Sequence, residues 1–220
     1  MTKILIDTYY VSEPFPELHA LKDQLLDLIA ESDSSTMEMP PQYKQHLAPQ
    51  NTLSKSPINK LDWDKSTDFK NRPWVNLILE LIHQKLNSMV QQQLGLNRIK
   101  FNDLWFQQYT QNNFHNWHIH DHNFTGAYYI ELADDDANKT EVMSGEKILV
   151  PDVKEGDICF FPAFAIHRCP PIESTNRKTI ISYNFDIMGM TEDQFQLMET
   201  YTRKVPIIKK LYNPNDSGGG

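Results

Sequence analysis

Cysteine is scarce. Cys159 and Cys169 are the only two in 220 residues, too few for a disulfide framework. Two free, buried thiols are expected, as suits a reducing cytoplasm. A run of about eighteen apolar residues is also missing, so no transmembrane helix is expected. The opening stretch, Met1 to Asp7, has too short an apolar run for a secretory signal, and Asp7 interrupts it. Lysine and arginine form no block, and the formal charge is −8. Neither nucleic acid nor an anionic membrane is an expected partner. Internal repeats and low-complexity tracts are absent.

What remains is an ordinary globular composition, 40% hydrophobic and 23% charged, of a length that supports one domain with a real core. Lys3 to Val11 reads as a short strand. Phe15 to Ala30 reads as a helix, with Leu18, Leu21, Leu25, Leu28 and Ile29 at helical spacing and Pro16 in its first turn. Residues 31–71 are polar and proline-bearing, long enough to wrap the surface or cover an opening. Pro73 to Leu94 is the clearest helix: Trp74, Leu77, Ile78, Leu81, Ile82, Leu86, Met89 and Val90 fall on one stripe, and Gly95 stands at the stop. Beyond Arg98 the texture changes to short strands, over 98–110, 116–120, 124–132, 146–150, 157–161, 165–169 and 178–187, the pattern of a sandwich or barrel. The acidic run 133–138 reads as a solvated connection. A capping box at Thr191 and Gln194 predicts a C-terminal helix, and Ser217 to Gly220 a disordered tail. The chain thus divides into an N-terminal packing segment (1–97), a strand-rich core (98–187) and a helical extension (188–220) within one structural domain.

Half of the eight histidines lie in the stretch His115-Asn116-Trp117-His118-Ile119-His120-Asp121-His122. Were residues 118–122 extended, His118, His120 and His122 would share a face. Imidazoles so placed can converge on one metal ion, and neutral imidazole suits iron, zinc, copper or nickel. Trp117 would face the other way. Downstream, Gly156 to Pro162 forms a turn, an apolar strand and a proline. His167 follows five residues later and Arg177 ten residues after that, leading into Thr179 to Phe185.

This order resembles the Fe(II)- and 2-oxoglutarate-dependent oxygenases, in particular the branch of prolyl hydroxylases and small bacterial and phage enzymes. That family pairs a His-x-Asp/Glu motif with a distal His about fifty residues on and an Arg about ten beyond it. Here His118-x-His120, His167 and Arg177 stand 49 and 10 residues apart, and Tyr109 precedes His118 by the prolyl hydroxylases' interval of nine. The resemblance spans residues 98–187. It implies an α+β fold, a double-stranded β-helix (a cupin-like jelly-roll) with N-terminal helices packed on one sheet. It implies Fe(II) and 2-oxoglutarate as cofactors, with His118, His120 and His167 as metal ligands. Arg177 would hold the distal carboxylate of 2-oxoglutarate through its two-pronged guanidinium, aided by the hydroxyls of Tyr109 and Thr179. The implied activity is that of a dioxygenase, most simply a hydroxylase, acting with O2 on a small molecule or peptide.

The chain departs from the pattern at His120, where the family has a carboxylate. Three readings stay open: a three-histidine site of His118, His120 and His167; a turn that lets Asp121 supply the carboxylate; and a shift to His120 and His122. Fe²⁺ with three imidazoles carries +2, which a 2-oxoglutarate dianion cancels, so the first reading does not weaken cofactor binding. Two other functions compete: a three-histidine cupin-type dioxygenase that does not use 2-oxoglutarate, and a non-catalytic metal-binding jelly-roll.

Overall fold

The computed structural model describes residues 9–37, 58–96, 98–132 and 139–188. The strand expected over Lys3 to Val11 lies largely outside them, as do the acidic run 133–138, the helix at Thr191 and the tail. The described part begins with β1 (Val11–Pro14), α1 (Pro16–His19), α2 (Lys22–Glu31), β2 (Ser35–Met37) and β3 (Ile58–Leu61). A 3-10 turn (Trp63–Lys65) and the long α3 (Pro73–Leu94) follow. The strand-rich part comprises β4 (Ile99–Tyr109), β5 (His115–His118), β6 (Phe124–Glu131), β7 (Glu141–Ser144), β8 (Lys147–Leu149), β9 (Asp157–Pro162), β10 (His167–Cys169) and β11 (Lys178–Ile187).

Two antiparallel sheets result. The larger has the order β1-β9-β6-β11-β4-β3-β2, and the smaller β5-β10-β7-β8. From β4 to β11 the chain alternates between them: β4 in the large sheet, β5 in the small, β6 in the large, β7 and β8 in the small, then β9, β10 and β11 likewise. This is the double-stranded β-helix, with helices on one sheet. The central strands of the large sheet are buried on both faces. Leu104, Phe106, Tyr128, Ile158, Phe160, Ile181, Tyr183 and Phe185 pack toward the helices. Their neighbours in sequence, among them Tyr109, Ala127, Tyr129, Cys159, Phe161 and Ile180, face the small sheet. That period of two gives the molecule two cores.

α3 forms where the apolar stripe predicts. Pro73 needs no N–H at the first position. Gly95, at φ 68°, turns the chain out of the helix and donates its N–H to Gln91 O at 3.0 Å. Trp74, Ile78, Ile82, Leu86, Met89 and Val90 are buried, each burial stabilising by roughly 1.5–3 kcal/mol. The helix expected over Phe15 to Ala30 is instead two. Tertiary ties overrule its periodicity: the Phe15 N–H donates to Gly156 O at 2.9 Å, and Lys22 pairs with Glu155, so α1 is moored to the turn before β9 while α2 packs on α3. Gly126 of β6 lies so close to β9 that a Cβ there would stand 2.0 Å from Cys159 O, so only glycine fits. Both cysteines are free and buried.

Residues 58–72 carry more structure than their polar sequence suggests. β3 joins the large sheet beside β4, and the chain then turns about Asp62. This carboxylate is fully buried. It accepts hydrogen bonds from Arg72 Nη1 (3.0 Å), Trp74 Nε1 (3.0 Å) and the Phe106 N–H (2.9 Å). Burial holds its carboxyl above the usual range, and these three donors act against that. One side chain thereby fixes the 3-10 turn, the start of α3 and the middle of β4. Asp62→Ala strands Arg72, itself buried, and breaking such a pair from one side costs about 3–5 kcal/mol. The expected result is a clear fall in the urea midpoint with an unchanged slope, followed by far-ultraviolet circular dichroism.

Candidate metal centre

β10 lies antiparallel to β5 with His167 directly opposite His118. Two residues further along β10, Cys169 faces His115, three residues back along β5. The extra residue in β5 is a β-bulge, which rotates the strand locally. Simple alternation would put His115 and His118 on opposite faces, yet their rings stack at 4.0 Å. His120 follows β5 in an irregular link that is clipped to the β9–β10 link: the His120 N–H donates to Ala163 O at 2.9 Å, and the Ala163 N–H to Asn123 O at 3.0 Å.

His118, His120 and His167 each offer a ring nitrogen within 4.8 Å of the others. Ligands about 2.0–2.1 Å from an ion stand no more than about 4.2 Å apart, so the rings need move little to meet one metal. The backbone orients two of them. Nδ1 of His118 lies 2.6 Å from Asn116 O, and Nδ1 of His167 lies 2.9 Å from Ala165 O. A carbonyl accepts only from N–H, so both rings carry the proton on Nδ1 and keep the Nε2 lone pair for a metal. Burial, with the repulsion of neighbouring rings, lowers the pKa to about 2 at His167, about 4 at His120 and about 3 at His115. Burial lowers that of His118 as well. The set is neutral at pH 7, the state that ligates.

His122 is not part of it. Its Nε2 lies 3.1 Å from Asp103 Oδ2 and its Nδ1 3.4 Å from Asp186 Oδ2, because the chain is no longer extended after β5. Asp121 is exposed and outside the cluster. Trp117 packs under the Arg168 guanidinium, 4.5 Å from its ring centre.

Behind the imidazoles the chamber between the sheets is lined by Trp105, Gln107, Tyr109, Tyr129, Thr140 and Ser182. No protein-family model and no curated protein matches the sequence. Solved structures do match the fold. One is an oxidoreductase of the 2OG-Fe(II) oxygenase family from Burkholderia pseudomallei (13% identity, 80% of this chain and 83% of that one, TM-score 0.57). A second is HygX from Streptomyces hygroscopicus with nickel and 2-oxoglutarate bound (9%, 84% and 85%, TM-score 0.58). A third is a prolyl-4-hydroxylase from Pseudomonas putida (12%, 80% and 92%, TM-score 0.54). The chain has the fold of the 2OG-Fe(II) oxygenases.

Within this oxygenase fold the residues expected at the cofactor carboxylate separate. Tyr109 lies in the chamber wall, its hydroxyl donating to Gln107 Oε1 at 2.9 Å. Arg177 and Thr179 do not reach the chamber. The Arg177 guanidinium grips Glu131 through two contacts, 2.7 and 2.9 Å, at the protein surface. Thr179 Oγ1 donates to the same carboxylate and accepts from Gln108 Nε2 at 3.2 Å. The reason is strand alternation. On β11, Ile180 and Ser182 face the chamber while Ile181 and Tyr183 face the helices, so Thr179 points away and Lys178 points in. Lys178 is 1% exposed. Its Nζ lies 3.3 Å from Cys169 Sγ and 5.5 and 5.9 Å from the ring centres of Tyr109 and Tyr129. Among the described residues no carboxylate pairs with it. Lys178 stands one position beyond Arg177 in the sequence and was not among the residues singled out there.

The buried imidazoles predict a pH dependence. Unfolded histidines take up protons near pH 6.5. The folded ones resist until well below that, so in between the unfolded state binds more protons and stability falls on acidification. In the metal-free protein the urea midpoint is expected to drop between pH 7 and 5. His167→Gln should flatten the drop relative to wild type.

Proposed function

We propose that this protein is an Fe(II)- and 2-oxoglutarate-dependent oxygenase that oxidises a C–H bond of its substrate. The observation that carries the reading is a pairing across one chamber: three neutral imidazoles line its mouth end, and a buried ammonium, Lys178, with no carboxylate partner among the described residues, packs against the wall residues Cys169, Tyr109 and Tyr129. A buried cation without a counter-ion is costly, and a dicarboxylate that reached it from a metal at His118, His120 and His167 would remove that cost. The donor set fits iron, since nitrogen ligands with open positions are what such chemistry uses.

His118, His120 and His167 would hold the metal, the first two rings arriving from β5 and its link and the third from β10. Lys178 would bind the distal carboxylate of 2-oxoglutarate, with Tyr109 as a further donor once its hydroxyl leaves Gln107. Arg177, committed to Glu131, would contribute by pinning the end of β11 to β6 and so keeping Lys178 inward. Phe161, edge-on to His167 at 4.8 Å, excludes water from that ligand. Iron and 2-oxoglutarate together supply reduction of O2, with 2-oxoglutarate decarboxylated to succinate and CO2 and one oxygen atom available to the substrate.

Anaerobic addition of Fe(II), then of 2-oxoglutarate, is expected to produce a visible metal-to-ligand charge-transfer band that saturates. His120→Ala should abolish tight iron binding. Lys178→Met removes a charge-assisted hydrogen bond of about 1.5–3 kcal/mol, so the half-saturating 2-oxoglutarate concentration should rise between about ten- and a hundredfold. Arg177→Ala should change it less than threefold. Iron binding without a band would overturn the reading in favour of a three-histidine dioxygenase that does not use 2-oxoglutarate.

A further inference from the structure

In front of the imidazoles a second cavity opens to solvent, about 700 Å³ in volume, within the range of small-molecule sites. Its floor includes His118 and His120, and its walls come from β4, β11, the link that follows β5 and the 3-10 turn held by Asp62. Three features of the wall are chemically selective. The wall is acidic: Asp64, Asp103 and Asp121 line it, His122 stands against Asp103, and no lysine or arginine lines it among the described residues. The flat apolar surfaces are Trp63, half exposed, and Trp105, stacked near His120 at 6.0 Å. Finally, two buried polar atoms of the lining have no hydrogen-bond partner among the described residues: the donor Trp105 Nε1 and the acceptor Asn184 Oδ1, on side chains 4% and 5% exposed.

Unpartnered buried groups are rare in native proteins and call for an occupant. Asp103 is already engaged by Ser66 Oγ (3.0 Å), Asn184 Nδ2 (3.0 Å) and His122. Asp64 and Asp121 are exposed and, among the described residues, make no hydrogen bond or ion pair. An anion would meet three carboxylates here. A cation would meet their field, two indole faces that favour cations, and an amide oxygen ready to accept from an N–H.

We propose that this cavity binds a small molecule bearing a protonated amine beside a flat apolar group, and that such amines are the substrate class. The substrate role rests on the oxygenase reading, because it draws on the nearness of His118 and His120. The charge preference does not depend on it.

The two are therefore tested separately, with metal-free protein and no 2-oxoglutarate. The probes are 2-phenylethylamine and its neutral counterpart 2-phenylethanol, titrated by saturation-transfer NMR. The amine is expected to bind at least tenfold more tightly than the alcohol. The double variant Asp64→Asn/Asp121→Asn should weaken amine binding at least tenfold, and Glu80→Gln, on the exposed face of α3, should leave it unchanged. Both aspartates are exposed, so the double variant should keep the wild-type melting temperature. Equal binding of amine and alcohol, undiminished binding by the double variant, or no binding of the amine overturns the proposal. Amine binding by a protein that gives no charge-transfer band would retain the site and remove only its assignment as the substrate's place.

Discussion

Imidazole rings can be packed together away from water only if they stay unprotonated. A charged ring would pay for its own desolvation and for repulsion from its neighbours. His115, His118, His120 and His167 meet this constraint through backbone geometry. The carbonyls of Asn116 and Ala165 hold protons on the outer nitrogens of His118 and His167, and the opposite nitrogens are left as lone pairs. The bulge in β5 and the antiparallel register with β10 then bring the rings face to face. Each element nearby serves that register. The β9–β10 link is tied to the β5–β6 link by main-chain bonds, and the helices seal the other face of the large sheet so that its chamber face can be given over to polar groups.

Charge is laid out along the chamber in a consistent way. Lys178 lies beyond the imidazoles, against a thiol and two tyrosine rings, with no carboxylate partner among the described residues. The carboxylates Asp64, Asp103 and Asp121 lie around the mouth. Arg177, the cation just before that strand, is withdrawn to the surface and neutralised by Glu131. A one-residue step along a strand is enough for this, because successive side chains leave the sheet on opposite faces. Two cations side by side in the sequence thus end in different dielectric environments and cannot share a role.

The sequence carried a good part of this. The stripe of α3, its Pro73 start and its Gly95 stop were legible because local chemistry decides them. The strands at 99–109, 124–131, 157–162 and 178–187 were legible as apolar runs between turn signals, and the convergence of His118, His120 and His167 was what the family resemblance implied. Other features depended on information that a single strand does not hold. β11 is buried on both faces, so its hydrophobicity does not alternate, and nothing in Arg177-Lys178-Thr179 marks which residue points inward. The bulge that rotates His115 toward His118 exists only relative to β10. β7 and β3 are four-residue strands with mixed polarity that form because neighbours offer an edge. The split of α1 from α2 answers to Gly156 and Glu155, more than a hundred residues away.

The exchange of a carboxylate for His120 ties the two ends together. Three neutral imidazoles leave a divalent metal with its full charge; a dicarboxylate bound between the metal and Lys178 would offset the metal's two charges and leave the ammonium's one, whereas a carboxylate at position 120 would bring that sum to zero. A carboxylate at position 120 would add negative charge to the centre itself, and would give an incoming cation a competing partner at the metal. With histidine there, the electrostatic pull on a cationic ligand would come from the walls of the outer cavity, which would hold it beside the metal and leave the ligating nitrogens to the metal.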